Sequence, residues 1–75
     1  MEKWSKELEE QTRESIFSGA MVKSRNYEYG FCFFDAGIVT IRNVITKDYM
    51  PLPGEKTIAR FDTIEQMIEA GWVID

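Results

Sequence analysis

The sequence predicts an α+β fold: a small antiparallel β-sheet of three or four strands, with an N-terminal helix and a short C-terminal helix. Three observations carry it. Between Tyr27 and Ile45, two runs rich in aromatic and β-branched residues flank Asp35-Ala36-Gly37, the pattern of a β-hairpin. The opening stretch is built of good helix formers, with neither Gly nor Pro. Near the end, Asp62-Thr63-Ile64-Glu65 opens a short amphipathic run that Gly71 closes.

The first helix is expected over Glu2–Glu14, with Trp4 and Leu8 one turn apart on the same face. That apolar stripe is thin, so the helix either packs lightly on its own domain or serves a partner. Residues 1–16 therefore read as a semi-independent part of a single domain, 1–75. Ser18-Gly19 breaks the helix, Ala20–Lys23 reads as a short strand, and Ser24-Arg25-Asn26 as a turn. In the hairpin's first arm, alternation puts Tyr29, Phe31 and Phe33 on one face and Gly30, Cys32 and Phe34 on the other. In the second arm, Val39 and Ile41 make the better core face, with Thr40 and Arg42 on the wetter one. Pairing register decides which faces meet, because a slip of one residue reverses them.

Lys47–Glu55 is expected as a loop, since Pro51 and Pro53 exclude a central strand; Tyr49, Met50 and Leu52 make it unusually apolar. Lys56–Phe61 reads as a further strand. Asp62 is then the expected N-cap, with Glu65 reaching back as in a capping box. Ile64, Met67 and Ile68 form the buried stripe. Gly71 and Trp72 are placed to end the helix in a Schellman motif, and Val73-Ile74 is extended and available to a sheet edge.

Composition narrows the function. The chain has 75 residues, near the lower limit for a single hydrophobic core, and a homodimer is one route by which so small a domain gains more. With one cysteine, Cys32, no intramolecular disulfide forms, which suits a reducing, cytoplasmic setting. No apolar run reaches a membrane span's length, and the charged N-terminus lacks a signal-peptide core. There is no histidine, no metal-ligand cluster and no phosphate-cradling glycine loop, so a non-enzyme with no cofactor, no metal and no small-molecule substrate is expected. The formal charge of −4 weighs against a protein that mainly grips phosphates. It is unevenly spread: residues 1–14 and 51–75 sum to −2 and −3, and residues 15–50 to +1.

Two groups of residues are candidates for binding. The first favours a protein partner, or self, through Trp4 and Leu8 on the helix, Tyr29 on the aromatic arm, and Tyr49, Met50 and Leu52 in the apolar loop. This non-catalytic, cytoplasmic interaction module is the reading the sequence ranks first. The second group rests on Tyr29-Gly30-Phe31-Cys32-Phe33-Phe34, which resembles the RNP1 strand of RNA-recognition and cold-shock domains. The resemblance covers six residues and departs at Tyr29, where those families carry a basic residue. It implies that Phe31 and Phe33 stack on unpaired bases, with Arg25, Arg42 and Lys47 as phosphate contacts. Nucleic acid is thus the second-ranked partner. Membrane binding is not expected, because the helix's polar face is acidic.

Overall fold

The structure, a computed structural model, describes residues 4–75. The elements run α1 (Lys6–Ser15), β1 (Met21–Lys23), β2 (Tyr29–Asp35), β3 (Ile38–Lys47), β4 (Met50–Phe61), α2 (Ile64–Glu69) and β5 (Val73–Ile74). They build one antiparallel sheet of five strands in the order β4-β3-β2-β1-β5, one strand more than the upper expectation. The extra strand is Val73-Ile74, which returns after α2 to pair with β1. Strands β1 to β4 follow one another as a meander.

Register settles the faces. Cys32 sits opposite Ile41, Phe34 opposite Val39, Ile41 opposite Ala59 and Val22 opposite Gly30. Cross-strand partners share a face, so these side chains form one layer. Val22, Cys32, Val39 and Ile41 are buried there with Met67, Ile68 and Trp72, and Ile16, Ile64 and Phe61 pack around them. Both helices lie on this side.

Local chemistry explains the helix ends. Ser5 caps α1 by accepting from the Leu8 N–H at 3.2 Å; the expected beginning at residues 1–3 lies outside the described residues. At α2 the cap moves one residue from the expected Asp62–Glu65 pairing. Thr63 Oγ1 accepts from the Gln66 N–H at 3.1 Å, and Gln66 Oε1 accepts from the Asp62 N–H at 3.0 Å. The hydroxyl and carboxamide thus satisfy the free amides, which leaves Glu65 to pair with Arg13 at 2.5 Å. The other end matches its spacing: the Trp72 N–H donates to Met67 O, the Gly71 N–H donates to Ile68 O, and Gly71 takes φ +103°.

The expected loop over Lys47–Glu55 is instead the far half of a long hairpin. β3 runs five residues past its last pair with β2, from Asn43 to Lys47, and pairs only with β4 there. Prolines are tolerated because β4 is the sheet's edge strand. Spaced two apart, Pro51 and Pro53 face Thr46 and Val44, so both lose an N–H on the same, outward side of the ribbon. A register irregularity joins ribbon to sheet, where Asn43 Oδ1 accepts from the Lys56 N–H at 3.1 Å. Gly54 is buried against the Asn43 carboxamide, where any larger residue would collide.

Candidate functional site

The candidate site lies on the face of the sheet opposite the helices. Reading across the strands, one row holds Met21, Phe31, Arg42 and Thr57, and the next holds Phe33, Thr40 and Arg60. These two rows contain two arginines and no acid. Tyr29 continues the aromatic file along β2 and is 48% exposed, while Phe31 and Phe33 are half-buried among their sheet neighbours. The Arg42 guanidinium lies 5.3 Å from the centroid of the Phe33 ring, a cation–π contact that holds the charge beside the aromatic file. Neither Arg42 nor Arg60 forms an ion pair among the described residues.

Why these side chains reach this face follows from Gly30. It points to the helix side, where a Cβ would meet the Ile41 side chain and approach the Arg42 carbonyl to 2.9 Å. The bare backbone there lets β3 close on β2, and its neighbours Tyr29 and Phe31 are thrown to the opposite face. Asp35 ends this file one row further on, paired with Ile38, and most other acids are elsewhere. Glu7, Glu9, Glu10 and Glu14 are on α1, and Glu65 and Glu69 are on α2, so the negative charge is carried by the helix layer.

Of the residues expected to bind a strand, the fold brings Phe31, Phe33 and Arg42 together and separates the other two. Arg25 lies on the helix side, against Gly71, in a groove of about 250 Å³ lined also by Trp4, Arg13, Glu65 and Glu69. Lys47 stands next to the tip of the β3–β4 ribbon. Sequence reasoning missed Arg60. The signal for it existed, since Arg60 alternates with Phe61 on β4, but only the register puts it beside Thr40.

The protein-binding candidates also divide. Trp4 and Leu8 are half-buried on their own domain. The Trp4 indole donates to the Gly71 carbonyl at 2.6 Å, and the Lys23 ammonium sits 5.2 Å above its ring, itself 3.6 Å from Asp75. Thr12, fully buried on α1, donates to Leu8 O at 2.8 Å and accepts from the Ile74 N–H at 3.1 Å. Helix α1 therefore closes the β5 edge of the sheet.

Tyr49, Met50 and Leu52 stay exposed. They belong to the ribbon's outer end, where Tyr49 is 100% exposed. Its turn, Asp48-Tyr49, has both residues at positive φ, 54° and 65°. A two-residue hairpin turn of this hand suits Asn-Gly, and a tyrosine there costs about 1–2 kcal/mol relative to glycine. Ile45 pairs with Leu52 and Lys47 with Met50, which puts these four side chains on one face of the ribbon.

Burial pushes the Cys32 thiol up from its ordinary value, and its sulfur lies 3.4 Å from the Phe17 carbonyl. Among the described residues, no group of three or more His, Cys, Asp and Glu side chains is placed to hold a metal, and no helix is long and apolar enough to cross a membrane. No family model, curated protein or solved structure matches this chain.

Proposed function

We propose that this protein is a non-catalytic binding module that takes an unpaired nucleic-acid strand across its open sheet face. The observation that carries the reading is the acid-free pair of rows, Phe31 beside Arg42 and Phe33 beside Thr40 and Arg60. Aromatic rings offer bases a stacking surface whatever the sequence, and flanking guanidiniums meet the phosphates. The net charge of −4 is no obstacle when it resides on the opposite layer, since a field is set by where charges lie and not by their sum. The RNP1-like stretch Tyr29–Phe34 agrees with it in residue type, with Phe31 and Phe33 as the stacking pair.

The test is fluorescence anisotropy with labelled single-stranded DNA and RNA at low salt. Stacking is worth roughly 1–3 kcal/mol per base, so Phe31→Ala and Phe33→Ala should each weaken binding by about five- to 150-fold. Arg42→Ala and Arg60→Ala should each reduce the slope of log affinity against log salt by about 0.7. Absence of binding at low salt, or binding indifferent to all four substitutions, would sink the proposal.

A protein partner is the second reading, and the exposed ribbon supports it. Ile45, Tyr49, Met50 and Leu52 offer apolar area to a partner with nothing on the chain's own helices to cover them. It keeps the module cytoplasmic and non-catalytic, as the lone buried cysteine suggests. Trp4 and Leu8 no longer belong to this surface, because their contacts are used at home.

A further inference from the structure

We propose that the β3–β4 ribbon is a self-association surface, packing face to face and antiparallel on the same ribbon of a second copy of this chain. The inference deepens the protein-partner reading of the ribbon and is independent of strand binding on the open face.

Edge pairing is blocked on the ribbon's β4 side, where Pro51 and Pro53 remove the outward donors. On that side a partner meets a face and not an edge. The face bearing Ile45, Leu52 and Met50 is apolar except for Lys47 beside the turn, and Tyr49 extends it from the tip. Tyr49 also holds a left-handed backbone that glycine would adopt freely, so the turn carries an aromatic where the fold has no need of one.

A second copy is favoured by charge. In a two-fold contact a patch meets itself, so a patch with net charge repels itself. The helix layer is acidic and the open face is basic, which sets each against its own copy. The ribbon carries Lys47 and Asp48 at its tip and Glu55 and Lys56 at its base, and these cancel. An antiparallel stack brings tip to base, so Lys47 approaches Glu55 of the second copy and Asp48 approaches its Lys56. A single two-stranded ribbon offers a partner few side chains, so a weak dimer is expected beside the roughly 1,200–2,000 Å² interfaces of stable complexes.

Sedimentation and light scattering on the full chain, from about 10 μM to about 1 mM, cover the range in which so small a contact dissociates. The average mass should climb from 8.8 kDa towards twice that value. Ile45→Lys and Tyr49→Ser, both at exposed positions, should each hold the chain monomeric with an unchanged circular dichroism spectrum. Lys47→Glu should raise the dissociation constant roughly tenfold, and adding Glu55→Lys should restore it. Phe31→Ala should leave the mass curve alone. A monomer throughout, a dimer indifferent to Ile45→Lys and Tyr49→Ser, or a dimer lost to Phe31→Ala would each overturn the proposal. A monomer that still cross-links from position 49 to another protein would overturn self-pairing while sustaining the broader reading of the ribbon.

Discussion

Replacing Thr12 by valine tests whether α1 is part of the fold or a free recognition element. The side chain is fully buried, so valine fits its space, but the hydroxyl that accepts from the Ile74 N–H at 3.1 Å is lost. That N–H belongs to the last strand of the sheet, whose outer edge is covered by α1. A part-buried donor left without a partner costs about 1–3 kcal/mol. The donated bond to Leu8 O contributes less, because a helical carbonyl keeps its ladder. A loss of about 2 kcal/mol is large against the roughly 4–11 kcal/mol expected for 75 residues. In a domain of this size it lowers the melting temperature by roughly 8–16 °C. Thermal and urea unfolding, followed by far-ultraviolet circular dichroism, would measure it. Thr12→Ser keeps the hydroxyl and removes one methyl, so its cost should stay near 0.5–1.5 kcal/mol, roughly that of other single-methyl deletions. A valine variant within about 0.5 kcal/mol of the parent, or a serine variant no better than valine, would refute the reasoning. Helix α1 would then contribute little to the fold, and Trp4 and Leu8 would return as candidates for a partner's groove.

Other consequences are read more directly. Tyr49→Gly should stabilise the chain by about 1 kcal/mol in urea unfolding, because glycine relieves the left-handed turn; an unchanged or lower midpoint would count against strain at the tip. Cys32 should resist a thiol reagent in the native state and react fully in denaturant, since burial both shields it and holds it protonated; prompt native labelling would contradict its placement. Glu65 is held below the usual carboxylate range by its hydrogen bond to Arg13. A depressed acid contributes stability that is full above its unfolded pKa and fades as pH falls through the folded one. The parent should therefore outlast Glu65→Gln at neutral pH by a small margin, the pair being exposed, and the margin should close on acidification.

What the sequence made legible was local. The Ile64–Met67–Ile68 stripe, the Gly71-Trp72 ending and the hairpin around Gly37 each depend on residues a few positions apart, where propensity and turn chemistry act alone. The hairpin's turn is the tight pair Ala36-Gly37, both at positive φ. Misreadings arose where a distant neighbour changed the terms. Pro51 and Pro53 spoke against a strand, yet they only forbid a central one, and β4 is an edge. The α2 cap moved from Asp62 to Thr63, and Arg13 from α1 binds the Glu65 that this frees. The number of strands was short by one because a two-residue strand has too little sequence to carry a period.

The candidate site shows the same division more sharply. Alternation along β2 separates Tyr29, Phe31 and Phe33 from Cys32 whatever the fold, but leaves open which set is buried. The pairing of Cys32 with Ile41 decides it, and in deciding it carries Arg42 and Arg60 to the aromatic side. Summed over the chain, charge argues against nucleic acid; resolved by layer, it fits the proposed strand binding. The helices hold Glu7, Glu9, Glu10, Glu14, Glu65 and Glu69 on one side of a sheet whose other side has in its central rows two arginines with no ion pair among the described residues. Those acids would also repel a strand that strayed around the edge, so the layer that gives the protein its negative charge would confine a polyanion to the aromatic face. Under that account, neutralising acids on α1 should increase non-specific binding without touching the contribution of Phe31 and Phe33. The two surfaces then act on different quantities, one on affinity and the other on where the strand lies.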